Sequence, residues 1–327
     1  MNEKFSDFVR TYQDKRLAIA VSGGPDSVCL LYWCVAQNLD IVVLHVNHKL
    51  RPSADTEATY VSNLCSSLHV PCHVFEWTDP KPTTGIEATA RTARYRFMTD
   101  WCRENGVEYL MTAHHADDQI ETFLMNLGRG SGVFGLAGMA PVSVRDGIHI
   151  LRPLLSVPRA ELVAYCDENQ IKYFSDEMNM DAQYTRVRIR QNRHLLNDKL
   201  GISDSRILLA IQNLGRIRDG LSMDLDSLIA SVRCRGGAMF SESFLFDLSP
   251  EIRLKFLGTL IKKIGGDAYQ PRLKSLQLAL DKLSSDCQIT LGHCTLRRLS
   301  NRILIVPEGS RTTFRKRNEK TDKQKQI

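Results

Sequence analysis

One hexapeptide, Ser22-Gly23-Gly24-Pro25-Asp26-Ser27, limits what this chain can become. Ahead of it runs Leu17-Ala18-Ile19-Ala20-Val21, short and apolar, as a buried strand requires. Behind it runs Val28-Cys29-Leu30-Leu31-Tyr32-Trp33, apolar and long enough to open a buried helix. The order is therefore strand, glycine-rich turn, helix. Bare backbone N–H groups in such a turn, together with a helix N-terminus, make a site for an anion. Gly23 and Gly24 permit close approach, and Ser22 and Ser27 add hydroxyl donors. Asp26 is the odd member. A carboxylate repels a neighbouring phosphate unless a cation lies between them, so Asp26 implies Mg²⁺. The loop lacks the Gly-Lys-Ser/Thr ending of the common nucleoside-triphosphate loop, and it is not a G-x-G-x-x-G turn. A plain tight turn is the alternative; the register of strand, glycines, acid and helix argues against it.

The rest of the first half alternates. Phe5, Phe8, Val9 and Tyr12 recur at helical spacing. Strands are expected at Ile41–Val46, Cys72–Trp77 and Glu108–Ala113, and helices over Asp55–Leu68, Ile86–Asn105 and His114–Leu127. That pattern predicts an α/β fold, a parallel sheet with helices on both faces. Ligands of such sheets bind beyond the carboxyl ends of the strands. There stand the loop, His45-Val46-Asn47-His48, and His114-His115. Gly147–Leu155 reads as a strand and turn, and Arg159–Gln170 as a helix. The composition then shifts. Between Tyr184 and Arg218 there are eight Arg/Lys and two Asp/Glu. Helices are expected over Ser205–Asp219, Leu225–Val232, Pro250–Ile264 and Pro271–Leu283, a short strand near Phe244–Leu248, and paired strands within Gln288–Val306. These make a smaller α+β C-terminal domain. The expected division is 1–200 for a domain built on the hexapeptide loop, 201–310 for an auxiliary domain, and 311–327 for a basic tail. The tail has seven Lys/Arg and two Asp/Glu and is expected to be disordered.

Charge and cysteine usage bound the context. A formal net charge of +6 permits a polyanionic partner without requiring one. The nine cysteines form no C-x-x-C pair, and several sit among apolar residues, which fits buried thiols in a reducing cytoplasm. No apolar run has the length of a membrane span, so no membrane association is expected. Oligomeric state stays open, a homodimer included.

Two helices carry polar residues in step. In the helix expected to start at His114, His114, Asp118 and Glu121 stand at i, i+4 and i+7, hence on one face. Such carboxylates can hold Mg²⁺ or grip an ammonium group. Glu87, Arg91 and Arg94 repeat the spacing. Their plain reading is a surface pair; the alternative is a pair of arginines that stabilise phosphoryl or carboxylate charge.

The loop resembles the SGGxDS loop of the PP-loop ATP pyrophosphatases. Three further stretches resemble the tRNA(Ile)-lysidine synthase family: His45-Val46-Asn47-His48-Lys49-Leu50-Arg51, Gly85–Tyr95, and Thr112-Ala113-His114-His115-Ala116-Asp117-Asp118-Gln119-Ile120-Glu121-Thr122. The last continues through Leu127–Gly132 and Gly135–Met139 to Arg152-Pro153-Leu154-Leu155. The resemblance covers about residues 15–195. It implies that ATP adenylates the C2 oxygen of the wobble cytidine in a tRNA(Ile) with a CAU anticodon, and that free lysine then displaces AMP. Carried over by position, Ser22, Gly23, Gly24, Pro25, Asp26 and Ser27 would hold pyrophosphate, with Asp26 on Mg²⁺. His45 and Asn47 would lie near the adenosine. Asp118 and Glu121 would grip lysine, with His114, Arg91 and Arg94 alongside. The family's Arg-Asn-Arg-x-Arg stretch, which ends near a proline, corresponds here to Thr185-Arg186-Val187-Arg188-Ile189-Arg190-Gln191-Asn192 with no nearby proline, a departure. Arg186, Arg188 and Arg190 are the expected tRNA contacts. The rival expectation is another PP-loop enzyme, a tRNA thiolase or a small-molecule amide synthetase; thiolases rely on cysteine pairs, and this chain has no C-x-x-C.

Overall fold

The computed structural model describes residues 2–50, 53–79, 86–174, 185–234, 236–267, 270–284 and 288–309. The chain forms two compact units. One takes Met1–Gly130 and Gly135–Gly215, the other Ser131–Phe134 and Arg216–Ile327. The sequence put a boundary near Leu200; the units divide at Gly215. The tail 311–327 lies outside the described residues.

The first unit opens with α1 (Glu3–Arg10), β1 (Leu17–Ala20), α2 (Pro25–Ala36), β2 (Ile41–Asn47), α3 (Ala54–Ser67), β3 (Cys72–Glu76), α4 (Ile86–Glu104), β4 (Tyr109–Met111) and α5 (Ala116–Leu127). After the short α6 (Val133–Leu136), where the division between the units falls, come β5 (Val142–Arg145), β6 (Ile148–Leu151), α7 (Arg159–Glu168), α8 (Thr185–Asn192) and α9 (His194–Leu200). The helix α10 (Asp204–Val232) follows. Six strands lie in the order β3-β2-β1-β4-β6-β5, parallel except for β5.

Period-two alternation explains why both faces are covered. Leu17, Ile19, Ile41 and Val43 face one core with Leu30, Trp33 and Leu162 of α2 and α7. Ala18, Val42, Leu44 and Leu110 face the other with Tyr95, Met98 and Cys102 of α4. The chain leaves β1 for β2 and β3 on one side, then returns to β4 on the other. That reversal opens a crevice beyond the carboxyl ends of β1 and β4. The hexapeptide and Thr112–His115 both stand there.

The sequence reading needs four corrections. The strand β5 is additional: Asp146 (φ 52°) and Gly147 (φ 84°) form a two-residue turn that folds it antiparallel onto β6. The helix α5 starts at Ala116, because His115 is the extended N-cap (φ −123°, ψ −177°). His114 is therefore off the helix and shares no helical face with Asp118 and Glu121. One 29-residue helix replaces two, with Gly220 inside it. An interior glycine costs only about 1 kcal/mol, and buried Ile207 and Ile211 on one stretch and Leu225, Ile229 and Val232 on the other secure both halves. Phe244–Leu248 is not a strand but part of a helix that Ser241 caps, its Oγ accepting the Phe244 N–H at 3.1 Å.

The second unit contains β7 (Arg233–Cys234), β8 (Gly237–Ser241), α11 (Glu242–Asp247), α12 (Pro250–Gly265), α13 (Leu273–Ser284), β9 (Ile289–Leu291), β10 (Cys294–Leu299) and β11 (Arg302–Pro307). Its sheet runs β7-β8-β11-β10-β9 with antiparallel pairing throughout. Phe240, Phe256, Leu260, Leu296 and Ile305 fill its core. Among the described residues no helix is long and apolar enough to cross a membrane.

Candidate active site

The loop after β1 is built around one hydroxyl. Ser27 Oγ accepts the Ser22 N–H at 3.1 Å and donates to the Gly24 carbonyl at 3.0 Å. Gly23 has φ +94°, a conformation that residues with a β-carbon rarely adopt. Pro25 opens α2, and no side chain caps that helix. Its first-turn N–H groups stay available to an anion.

A cavity of about 370 Å³ begins at this loop. Ser22, Gly24, Asp26 and Ser27 line one end, His45 and Asn47 the end of β2, and Arg94 and Tyr95 the α4 side. Thr112, His114 and Asp118 complete it. A wider groove of about 990 Å³, lined by Tyr32, Tyr60 and Tyr165, contains none of the loop residues. The loop, His114 and Asp118 all line the smaller cavity.

Asp26 is fixed by a residue that the sequence reading passed over. The His115 ring is only 3% exposed and meets three carboxylates. Its Nε2 lies 3.6 Å from Asp26 Oδ2 and 3.4 Å from Asp118 Oδ2, and its Nδ1 lies 3.6 Å from Asp117 Oδ2. Burial disfavours the imidazolium, but Asp117, Asp26 and Asp118 outweigh burial and raise its pKa to about 10. Burial likewise opposes the Asp117 carboxylate, yet His115, the Arg159 N–H at 2.8 Å and Arg193 hold its pKa well below the usual range. Asp26 Oδ1 is buried and accepts no hydrogen bond from the described residues; Arg159 Nε stands 3.5 Å away. A buried carboxylate oxygen that accepts no hydrogen bond from the described residues, beside an open helix N-terminus, fits Mg²⁺, which takes one or two carboxylates plus phosphate oxygens. The doublets His114-His115 and Asp117-Asp118 were the available signal for this cluster.

The raised His115 pKa has a stability consequence. A histidine that binds its proton more tightly when folded contributes fully below about pH 6.5 and loses that contribution as pH rises towards 10. Chemical denaturation at pH 6 and pH 10 should show wild type losing on the order of 3 kcal/mol more than His115→Asn over that window. Equal losses would mean that the ring is neutral in the fold.

His114 is a different kind of histidine. Thr112 Oγ1 lies 2.8 Å from its Nδ1, and Arg91 Nη2 lies 3.3 Å from its Nε2. Burial first, then Arg91, Arg152, Arg94 and Arg186, push its pKa well below the ordinary value, so the ring is neutral. Arg94 lines the cavity and its own pKa is lowered by burial and by Arg91. Arg91 also packs over Tyr95, 5.3 Å from the ring centroid. The side chain of Glu87 lies outside the described residues.

On α5 the two expected lysine-binding acids part company. Asp118 lines the cavity. Glu121 is completely buried and already neutralised: Arg190 Nε donates to its Oε1 at 2.8 Å, and Arg186 Nε is 3.3 Å from Oε2. Two of the arginines expected on tRNA thus face one of the protein's own acids. Arg188 is exposed and donates to Thr185 Oγ1 at 3.1 Å. Between Asp118 and Glu121, Gln119 grips the glycine-rich segment after α6. Its Nε2 donates to the Met139 carbonyl at 2.8 Å and its Oε1 accepts the Met139 N–H at 2.7 Å. Gly138 (φ +62°) must stay bare there, since a Cβ would sit 2.5 Å from Gln119 Oε1.

At the end of β2, His45 Nδ1–H donates to the Val21 carbonyl at 2.8 Å, and burial lowers its pKa. Neutral His45 therefore carries its lone pair on Nε2. Asn47 braces the backbone after β2. Its Nδ2 donates to Asp55 at 2.7 Å, and its Oδ1 accepts the Lys49 N–H at 2.9 Å.

Known proteins are similar to this chain in sequence and in fold. Residues 1–197 match the family described as the PP-loop domain. The chain is 35% identical over 313 residues to the tRNA(Ile)-lysidine synthase of Wolbachia pipientis wMel, covering 92% of this chain and 72% of that one. With the protein of the same name from Rhodopseudomonas palustris (strain ATCC BAA-98 / CGA009) it shares 34% over 319 residues, 90% of this chain and 91% of the relative. Among solved structures, the U34-tRNA thiolase NcsA from Methanococcus maripaludis superposes with a TM-score of 0.56. That match spans 65% of this chain and 78% of the other at 15% identity, a likeness of fold alone. With a third of its residues shared across nine-tenths of its length, and the PP-loop domain beneath its cavity, the chain belongs to the tRNA(Ile)-lysidine synthase family.

Proposed function

We propose that this chain converts the wobble cytidine of a tRNA(Ile) with a CAU anticodon to lysidine, using ATP and free lysine. The observation that supports this most directly is the shared cavity: the anion loop, neutral His114 and Asp118 line one space of about 370 Å³. In this reading the open end of α2 takes the β- and γ-phosphates of ATP. The cytidine C2 oxygen attacks the α-phosphorus, and pyrophosphate leaves towards the loop. Asp26 would hold Mg²⁺, which supplies positive charge to the leaving pyrophosphate. Asp118 draws the lysine ammonium group, and His114 Nε2 accepts one of its protons. The neutral amine then bonds to C2, the C2–O bond breaks, and AMP departs with that oxygen and the second proton. Glu121, held by Arg186 and Arg190, supports the wall behind Asp118. The second unit and Arg188 serve tRNA binding. Seven described cysteines are free thiols, as expected of a cytoplasmic enzyme.

Two results follow from this assignment. Asp118→Asn should raise the lysine KM about tenfold or more, through loss of a charge-assisted hydrogen bond, while adenylation persists. Equal loss of both half-reactions would move Asp118 to the nucleotide. Arg188→Gln should lower the log–log salt slope of tRNA binding by about 0.7–0.9; an unchanged slope removes Arg188 from the RNA surface. The reading as a whole is tested by product release. Pyrophosphate should appear only with tRNA(Ile) present, and AMP only when lysine is added as well. AMP release with lysine but without tRNA would favour a small-molecule synthetase.

A further inference from the structure

The tautomer of His114 is decided by its two neighbours. A guanidinium group has only donors, so Arg91 requires His114 Nε2 to accept. The ring is neutral, so its one proton sits on Nδ1 and points at Thr112 Oγ1, 2.8 Å away. That oxygen is firmly placed. Thr112 is 5% exposed, and its N–H donates to the Leu151 carbonyl of β6 at 2.9 Å. The threonine lies one residue beyond β4, two residues before the histidine it orients.

We propose that Thr112 is a positioning residue for lysine transfer: its hydroxyl holds His114 as the Nδ1–H tautomer, leaving Nε2 as the proton acceptor at the cavity wall, covered by Arg91 until substrate enters. The proposal rests on the reading of His114 as the group that receives a lysine proton. In that step an N–H bond of the lysine ammonium breaks and an Nε2–H bond forms. The electron pair left on nitrogen makes the bond to C2. The opposite tautomer places a proton on Nε2 and blocks the step, whatever the ring position. Arg91 then has a second part. It keeps the lone pair occupied, and an anionic group of the substrate can draw it away.

Thr112→Val keeps the shape and removes the hydroxyl; Thr112→Ser restores it. Two readouts are needed. The first is the tautomer of His114, from nuclear magnetic resonance of isotope-labelled imidazole nitrogens, assigned by difference from His114→Asn. Wild type and Thr112→Ser should show protonated Nδ1 and bare Nε2, and Thr112→Val should gain an Nε2–H population. The second is single-turnover lysine transfer to pre-adenylated tRNA. Thr112→Val should slow it about tenfold or more, with the lysine KM and the adenylation rate unchanged and Thr112→Ser near wild type. A merely structural role would move KM and adenylation together. Wild type with a protonated Nε2, or Thr112→Val with unchanged tautomer and transfer, would overturn the proposal. Absence of lysidine from the wild-type reaction would overturn the functional reading and the step assigned to Thr112, whereas the tautomer measurement judges the Thr112–His114 contact by itself.

Discussion

Asp26→Ala is expected to lower tRNA adenylation by at least about 10²–10³-fold while the protein stays folded. Three facts support the size of the effect. Asp26 is the only acid within the Ser22–Ser27 loop. Its Oδ1 is buried without a hydrogen bond from the described residues, next to a helix N-terminus that no side chain caps. Its Oδ2 is turned towards His115, 3.6 Å away, and its Oδ1 towards Arg159 Nε, 3.5 Å away, so both faces of the carboxylate meet positive charge and a metal ion at Oδ1 would take the place of that guanidinium. Survival of the fold follows from the same cluster. His115 keeps Asp117 and Asp118 when Asp26 is removed. Pyrophosphate release at saturating ATP, titrated with Mg²⁺ and accompanied by a thermal melt, measures both. Near-normal release at ordinary Mg²⁺ with an unchanged melt would remove Asp26 from the metal.

Replacing Arg186 and Arg190 together with Gln should be the most destabilising of the changes considered, because it strands Glu121. A carboxylate with no exposed surface would lose both cations. Stranding one partner of a buried pair costs about 3–5 kcal/mol. The arginine side chains are 46% and 34% exposed, so water reaches their end of the pair and the lower part of that range applies. Adding Glu121→Gln to the double variant should restore most of the lost stability, since the uncompensated charge disappears. The check is a denaturation series on wild type, the double variant and the triple variant. A double variant as stable as wild type, with a flatter salt dependence of tRNA binding, would mean that these arginines serve the RNA and only visit Glu121.

Those arginines show where the sequence stops being readable. A basic run on a helix looks the same whether it meets phosphate or a buried acid. Glu121 lies 65 residues before Arg186 in the chain, and only the fold brings them together. The hexapeptide was legible because all of its contacts are local: Ser22 and Ser27 bond across five positions, and Gly23 and Pro25 set the backbone. The parallel sheet was legible for the same reason, through alternating apolar runs. His115 escaped because its meaning is relational. Its three acids come from two helices, and the residue itself is a helix cap rather than a member of a helical face. A two-residue error in the start of the helix placed His114 on α5, when the residue it contacts is Thr112. The strand β5 was missed because Val142-Ser143-Val144-Arg145 is an exposed edge with a weak apolar signal.

In the proposed function, one cavity joins an ATP loop to a lysine-transfer site acting on tRNA(Ile). The most direct test incubates the purified protein with ATP, Mg²⁺, lysine and an unmodified tRNA(Ile) bearing CAU, then digests the RNA and identifies its nucleosides by mass spectrometry. Lysidine at the wobble position, dependent on ATP and absent when lysine is withheld, is the expected result. An unmodified wobble cytidine in the complete reaction, under conditions where the protein is folded and binds ATP, would contradict it.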